Sequence, residues 1–295
     1  MFRKQDLKRC MALIPIVIVI GLLAGCAAKT ADPWGDPTTG LILQYRMTDG
    51  QVLKYLISGE QTQNMEVMGQ SIDTQSSSES GFSVKSKGLQ EGNLLLGVTI
   101  DSMSINISSP QGDLSPDTSS VLGKSFDMTL SPLGKELDVS GAQAIEYDMG
   151  AAGKRSIGSN FQALFPDLAG KPVKIGDTWT STDIITEKTD ELEIQINFES
   201  VNTLEGFETV DGLECVKVTA DVTGTVVGQG EQMGLQLAIE GEVQGKGTWY
   251  FAYKEGIFVM DTTSISTDST ISTSGAQAMS IPMKQEMTME TKLVK

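Results

Sequence analysis

After residue 40, the apolar residues of this chain recur at every second position instead of following the 3.6-residue period of a helix. Turn residues interrupt the pattern at short intervals, as they do between antiparallel strands. The clearest stripes are Leu94-Leu96-Val98-Ile100, Leu192-Ile194-Ile196-Phe198, Val216-Val218-Ala220-Val222 and Met233-Leu235-Leu237-Ile239. The pattern therefore predicts strands that each have one apolar and one polar face.

Two local features predict how the first strands are arranged. Residues 41–47 and 52–57 flank Thr48-Asp49-Gly50, where Gly50 tolerates positive φ, and this favours a hairpin between the two segments. Further on, the stripe that ends at Ile100 resumes out of step at Met103, so its phase slips once near Asp101-Ser102. A bulge at that point would keep one apolar face turned inward.

Two regions depart from the simple strand pattern. Helical candidates lie only in the middle, at residues 141–148 and 159–165, with Ser159 as the expected N-cap of the second. The segment from Gly241 to Gly247 contains more glycine than a flat strand tolerates. We expect curvature of the sheet there, and the alternative is a ligand that approaches the backbone.

These elements predict a mainly β fold. The expected form is curved antiparallel sheets or two similar β lobes, half-barrel or sandwich-like, with one or two short helices in the middle. The predicted division is a flexible tether at residues 26–39, an N-terminal β lobe at 40–140, a helical or loop connector at 141–175 and a C-terminal β lobe at 176–295. A single large β domain also fits the length.

The first 25 residues have the pattern of an export signal. Arg3, Lys4, Lys8 and Arg9 precede an apolar run of 13 residues from Met11 to Leu23. That run fits the about 7–15 residues of a signal peptide and is shorter than the about 20 of a membrane-spanning helix.

The run ends in Leu23-Ala24-Gly25-Cys26, which resembles the bacterial lipobox. The resemblance implies cleavage between Gly25 and Cys26 and a lipid anchor on Cys26, and an uncleaved anchor helix is the alternative. Because one acyl chain binds membranes only weakly, stable anchoring needs a further chain such as palmitate. The expected location is the cell envelope, outside the cytoplasm, and the outer membrane if the cell has two, since Ala27 is not the Asp of an inner-membrane signal.

The charge of the chain restricts its partners. The formal net charge is −16, and removal of Arg3, Lys4, Lys8, Arg9 and Asp6 with the signal leaves −19. The longest basic cluster is Lys85-Ser86-Lys87, so phosphate recognition is not expected. The predicted partners are therefore the membrane, through the N-terminal lipid, and an apolar ligand or envelope protein, with no nucleic acid.

The chain contains no histidine, which excludes Ser-His-Asp and Cys-His catalysis and histidine metal sites. After the signal and Cys26, the remaining cysteine is Cys215, and without an activating base we expect it to be a buried, inert thiol. The sequence thus predicts no enzyme, no catalytic residue, no metal site and no cofactor.

Three short motifs resemble an uncharacterised family of bacterial lipoproteins built on a domain of unknown function. They are Ser131-Pro132-Leu133-Gly134, the stretch Lys171-Pro172-Val173-Lys174-Ile175-Gly176-Asp177-Thr178-Trp179, and Gly245-Lys246-Gly247-Thr248-Trp249-Tyr250-Phe251. The resemblance implies no activity. In the second motif, Gly176-Asp177 favours a tight turn into a strand, with Trp179 as a buried anchor.

We interpret the chain as a membrane-anchored extracytoplasmic lipoprotein that binds or carries an apolar ligand or an envelope partner. The 14 methionines are compatible with an adaptable apolar surface, although core packing accounts for most of them. The alternatives are a structural or surface spacer and a hydrolase that uses paired carboxylates. The sequence identifies no ligand-binding residue.

Overall fold

Long antiparallel strands dominate a computed structural model that describes residues 32, 34–150, 153–189, 191–232, 235–274 and 278–294. We call the connector at residues 141–175 the middle segment. The strands before it are β1 (Gly35–Asp36), β2 (Gly40–Leu41), β3 (Val52–Val67), β4 (Gln70–Gln90), β5 (Asn93–Ser109), β6 (Gly112–Leu114), β7 (Ser125–Leu130) and β8 (Glu136–Asp138). The others are β9 (Glu146–Asp148), β10 (Lys154–Ser156), β11 (Thr178–Lys188), β12 (Leu192–Val210), β13 (Leu213–Gln232), β14 (Leu235–Ala252), β15 (Ile257–Thr273) and β16 (Ser280–Val294).

The long strands form one sheet in the order β11-β12-β13-β14-β15-β16-β3-β4-β5-β7-β8, and every pair in it is antiparallel. The short strand β6 pairs with β5. Since β16 lies beside β3, the last long strand of the chain pairs with the first. The fold class is confirmed: the protein is mainly β, with a curled, half-barrel-like antiparallel sheet and very few helical residues.

One face of the sheet covers the main hydrophobic core, and we call it the inner face. Tyr55, Phe82 and Ile100 are register partners on β3, β4 and β5, and each is at most 3% exposed. The middle segment fills the space against them with Phe161 and Phe165. A cavity of about 10 Å³ in this core is too small for a ligand, so the core is filled.

The predicted hairpin between residues 41–47 and 52–57 is wrong. β3 pairs with β16 and β4, whereas the backbone N–H of Tyr45 donates to Pro132 O at 2.8 Å and that of Arg46 to Gly256 O at 2.8 Å. The turn itself forms, with Gly50 at φ 77°. Leu41 and Leu43 are fully buried, so the segment contributes to the core from a position that local pattern does not specify.

The other local predictions have mixed outcomes. A register shift between Gly81 and Phe82 leaves Asp101 as the extra residue of β5, which confirms the bulge. Helix α1 spans Ser140–Gln143. One 3-10 turn spans Gly158–Phe161 and another spans Ser119–Val121. Ser159 is not an N-cap, because it lies inside the turn that Ile157 precedes. Met233 lies outside the described residues.

The glycines of β14 allow a close approach between strands. A Cβ atom on Gly241 would lie 2.5 Å from Ser269 Cβ and 2.7 Å from Asp268 O, and one on Gly245 would lie 2.7 Å from Ser264 O. All three partners belong to β15. Glycine is therefore required where β14 and β15 come together in the curled sheet.

Several predictions stay predictions because the structure does not test them. Gly25, Cys26 and the rest of residues 1–31 lie outside the described residues, as does Pro33. The lobe boundaries at 140 and 176 also stay predictions, although residues 32–295 group as one compact unit. Among the described residues, no helix has the length and apolar character needed to cross a membrane.

Candidate functional site

The register of the sheet separates its two faces into rows of side chains. Partners in an antiparallel pair lie on the same face, and neighbours along a strand lie on opposite faces. We call the half of the sheet beyond Thr263, toward the β15–β16 turn, the distal half. There the inner-face rows extend past the core that the middle segment fills.

One inner row of the distal half is almost entirely apolar, and we call it the apolar row. It crosses eight strands from β11 to β4 and consists of Ile185, Ile196, Val226, Gly241, Ser269, Met283, Met65 and Ile72. The row toward the core contains Phe198, Gly224, Val243, Thr267, Gln285, Gln63 and Thr74, and the next contains Val222, Gly245, Ile265, Met287, Gln61 and Ser76. From β12 to β4, none of these side chains is charged.

The outer face carries the charge. The outer row next to the apolar row consists of Ile184, Asn197, Thr225, Glu242, Asp268, Lys284, Asn64 and Asp73. Lys284 Nζ lies 3.5 Å from Asp268 Oδ1, and both side chains are more than two-thirds exposed. A shift of one residue along each strand thus changes an apolar surface into a charged one.

The inner face of the distal half is covered mainly by the sheet itself. Val226, Ile239 and Val243 are buried, and they pack with half-buried side chains of β12 and β15, namely Leu192, Ile194, Ile196, Phe198, Ile265 and Ile271. On the neighbouring strands β16, β3 and β4, four inner side chains are half-buried: Met283, Met287, Met65 and Ile72. The methionines thus provide flexible side chains along an uncharged surface.

Polar side chains mark the boundary between this surface and the core. Asp261 Oδ1 accepts from the backbone N–H of Thr291 at 3.1 Å, and Oδ2 accepts from Thr263 Oγ1 at 3.0 Å. Burial raises the pKa of Asp261. Asn202 Oδ1 accepts from Trp249 Nε1 at 3.2 Å. These groups have partners within the chain, so we assign them a structural role.

Four ionisable residues converge beside β8 and β11. Lys135 Nζ lies 3.1 Å from Asp167 Oδ2 and 2.5 Å from Asp183 Oδ1, and it donates to Thr182 O at 2.5 Å. Burial raises the pKa of Asp167, and it raises the pKa of Glu136 to about 8. The Glu136 carboxyl is therefore largely protonated at neutral pH, and it accepts from Phe165 N at 2.8 Å.

A carboxylate hydrolase would need two acidic side chains close together. Asp167 and Asp183 meet that one requirement. Both carboxylates, however, bind the same lysine, and Glu136 is held by the backbone. Lys135 therefore joins the middle segment to the edge strand β11. Sequence analysis missed this cluster because its members come from residues 135–183 and no motif connects them.

A second concave surface lies on the outer face of β16, β3, β4 and β5. This open groove has a volume of about 630 Å³ and is lined mainly by hydroxyl, amide and carboxylate side chains, including Glu60, Glu286 and Asp113. Ser108 Oγ donates to Asp113 Oδ1 at 2.6 Å, and Ser115 Oγ donates to Asn106 Oδ1 at 2.9 Å. The groove is hydrophilic, and an apolar ligand there would bury polar groups without replacing their hydrogen bonds to water.

The remaining candidates from the sequence have structural positions. Cys215 is fully buried, and burial raises its pKa to about 11, which suppresses the reactive thiolate. Trp179 follows the turn at Gly176, is partly buried, and donates from Nε1 to Asp167 O at 3.0 Å. Among the described residues, no group of three or more Cys, Asp and Glu side chains is placed to hold a metal ion.

No protein-family model matches the chain, and no curated protein matches it in sequence. A solved outer membrane channel from Pseudomonas putida F1 aligns with 8% identity and a TM-score of 0.26, over 85% of this chain and 97% of that one. OccK2 of Pseudomonas aeruginosa, solved with glucuronate, aligns with 5% identity and a TM-score of 0.23, over 84% of this chain and 100% of that one. OmpT of Vibrio cholerae aligns with 8% identity and a TM-score of 0.21, over 85% and 100%. Similarity this low carries no argument about function.

Proposed function

We propose that this protein is an extracytoplasmic lipoprotein that binds the acyl part of a lipid-like ligand on the inner face of its distal half. The observation that carries the proposal is the apolar row, together with the uncharged rows beside it. An uncharged face in so acidic a chain favours the burial of apolar groups and offers no charged partner to a polar ligand.

The dimensions favour a slender ligand. The inner rows are two residues apart along each strand, which is about 6.7 Å, so the four rows from Ile271 to Ile265 span about 20 Å. One leaflet of a membrane is about 15 Å of hydrocarbon, so an acyl chain fits that length. A helix about 10 Å across would instead have to displace side chains that already pack together.

The anchor is the second part of the proposal. Processing at Gly25 and lipidation of Cys26 would hold the protein at a membrane surface, where acyl ligands are available. The measurement is incorporation of labelled palmitate into the full chain expressed in bacteria, compared with a Cys26→Ser variant. We expect label in the wild type alone, and label retained after Cys26→Ser would refute the anchor.

The ligand is tested by native mass spectrometry, with lipid extraction, of the full chain purified from membranes in a mild detergent. The test variant is Met283→Glu, which places a charge in the apolar row. The control is Lys284→Glu, one residue along on the outer face, where the exposed ion pair with Asp268 contributes little to stability. We expect a lipophile to copurify with the wild type and the control and to be lost from Met283→Glu.

Two results would contradict the ligand proposal. Wild-type protein that carries no lipophile would favour the spacer hypothesis. Equal lipid content in Met283→Glu and Lys284→Glu, at equal melting temperatures, would show that the lipid lies elsewhere.

A further inference from the structure

Ser269 is an exception in the apolar row. It lies at the centre of the row, between Gly241 on β14 and Met283 on β16, and it is only 8% exposed. Its Oγ atom is one of two buried side-chain nitrogen or oxygen atoms of the described residues that have no hydrogen-bond partner. The other is Arg46 Nε, whose guanidinium group donates through Nη2 to Tyr253 O at 2.8 Å.

An unpaired buried hydroxyl is unfavourable, because it has lost its bonds to water without replacing them. Other buried polar side chains of this protein avoid the cost. Tyr55 Oη donates to Phe258 O at 3.0 Å, and Thr118 Oγ1 donates to Met103 O at 2.6 Å. The Ser269 hydroxyl therefore has an unused donor, and it belongs to the apolar row on which the proposed ligand binds.

We propose that Ser269 Oγ donates a hydrogen bond to a neutral oxygen atom of the ligand, and that the ligand is an acyl ester. This inference rests on the proposed function and specifies the chemical class of the ligand. The carbonyl oxygen of an ester accepts one hydrogen bond without bringing charge into the site. A carboxylate at this position would be buried beside uncharged rows, at a large cost in solvation.

The position of Ser269 also gives the ligand an orientation. Toward the turn between β15 and β16, one further inner row follows, formed by Ile239, Ile271 and Ile281. In the opposite direction, the inner rows at Thr267, Ile265 and Thr263 extend about 20 Å toward the core. The acyl chain would therefore point toward the core, and the alcohol part of the ester toward the distal rim.

The test uses two probes that share chain length and differ in the ester group, ethyl palmitate and octadecane, in radiolabelled form. Binding of each is measured for the full chain in the same mild detergent. The variants are Ser269→Ala and, as a control on the same strand, Ser266→Ala, whose side chain is exposed on the outer face. We expect the wild type and Ser266→Ala to bind ethyl palmitate about fivefold more tightly than octadecane, and Ser269→Ala to bind both equally.

The possible outcomes separate the two proposals. Equal affinity of the wild type for both probes, or a preference for the ester that survives Ser269→Ala, would overturn the assignment of Ser269 while octadecane binding still supported the apolar site. A loss of both probes in Ser269→Ala would overturn it too, since that variant retains the apolar surface. If the wild type binds neither probe, the proposed function itself fails.

Discussion

Replacement of Gly241 by alanine tests whether the curled sheet depends on close contact between β14 and β15. A Cβ atom at this position would lie within 2.9 Å of three atoms of β15, and two of these, Asp268 O and Ser269 Cα, belong to the backbone. The clash cannot be relieved by rotation of a side chain, so the strands must separate. Overpacking of this kind costs about 1–3 kcal/mol.

The change also stiffens the unfolded chain, which stabilises the protein by about 0.4–1 kcal/mol. The expected result for Gly241→Ala is therefore a net loss of about 1–2 kcal/mol in the free energy of unfolding. Gly206→Ala is the matched control, because Gly206 also lies in a strand but no atom lies within 4 Å of its added Cβ. There the entropic effect acts alone, and stability should be unchanged or slightly higher.

The assay is urea unfolding of the full chain, followed by the fluorescence of its three tryptophans, of which Trp249 is buried. The two variants should differ by about 2 kcal/mol at unchanged m-value. Equal stability of Gly241→Ala and Gly206→Ala would refute the reasoning, because it would mean that β14 and β15 have room for a side chain at this point.

Three further predictions concern ionisable groups. Burial raises the pKa of Glu136 from 4.5 to about 8, so the folded protein binds more protons than the unfolded chain between these values and loses stability as pH rises through that range. Glu136→Gln should abolish this loss in thermal unfolding scans from pH 4 to 9, and an unchanged profile would contradict the burial of the carboxyl. Lys135→Met should lower the melting temperature more at pH 7 than at pH 4, since it leaves Asp167 and Asp183 without their shared cation, whereas Lys188→Met, which removes an exposed ion pair, should have little effect at either pH. Cys215 should react with a disulfide reagent only after unfolding, and rapid labelling of the native chain would show that it is accessible.

The sequence predicts the strands of this protein well because the local pattern determines which residues face the same way. The phase slip at Asp101-Ser102 predicted the bulge. The glycines near Gly241 predicted curvature of the sheet, and the structure adds that they allow β14 to lie close to β15. The pairing of residues 41–47 was predicted wrongly, because their backbone bonds go to Pro132 and Gly256, far away in the sequence. A hairpin turn alone does not reveal such distant partners.

The candidate site was less accessible to sequence analysis, for a related reason. Several strands show an apolar stripe of their own, but the apolar row is recognised only when the register of eight strands is known. Ser269 illustrates the difficulty, since it lies in a tract between residues 264 and 270 that contains five Ser and Thr residues with no pattern that distinguishes them. Only the pairing with Gly241 and Met283 shows that this one is buried among apolar side chains.

The distribution of charge links the inner face to the proposed anchor. Rows such as the one containing Glu242, Asp268 and Lys284 put charged side chains on the outer face, which therefore cannot enter hydrocarbon without a large cost. The net charge of the chain also repels anionic lipid headgroups. Under the proposed function, attachment to a membrane would come from another part of the chain, the lipid on Cys26. Under the proposed function, an acyl ligand would therefore have to leave the membrane to reach the inner face.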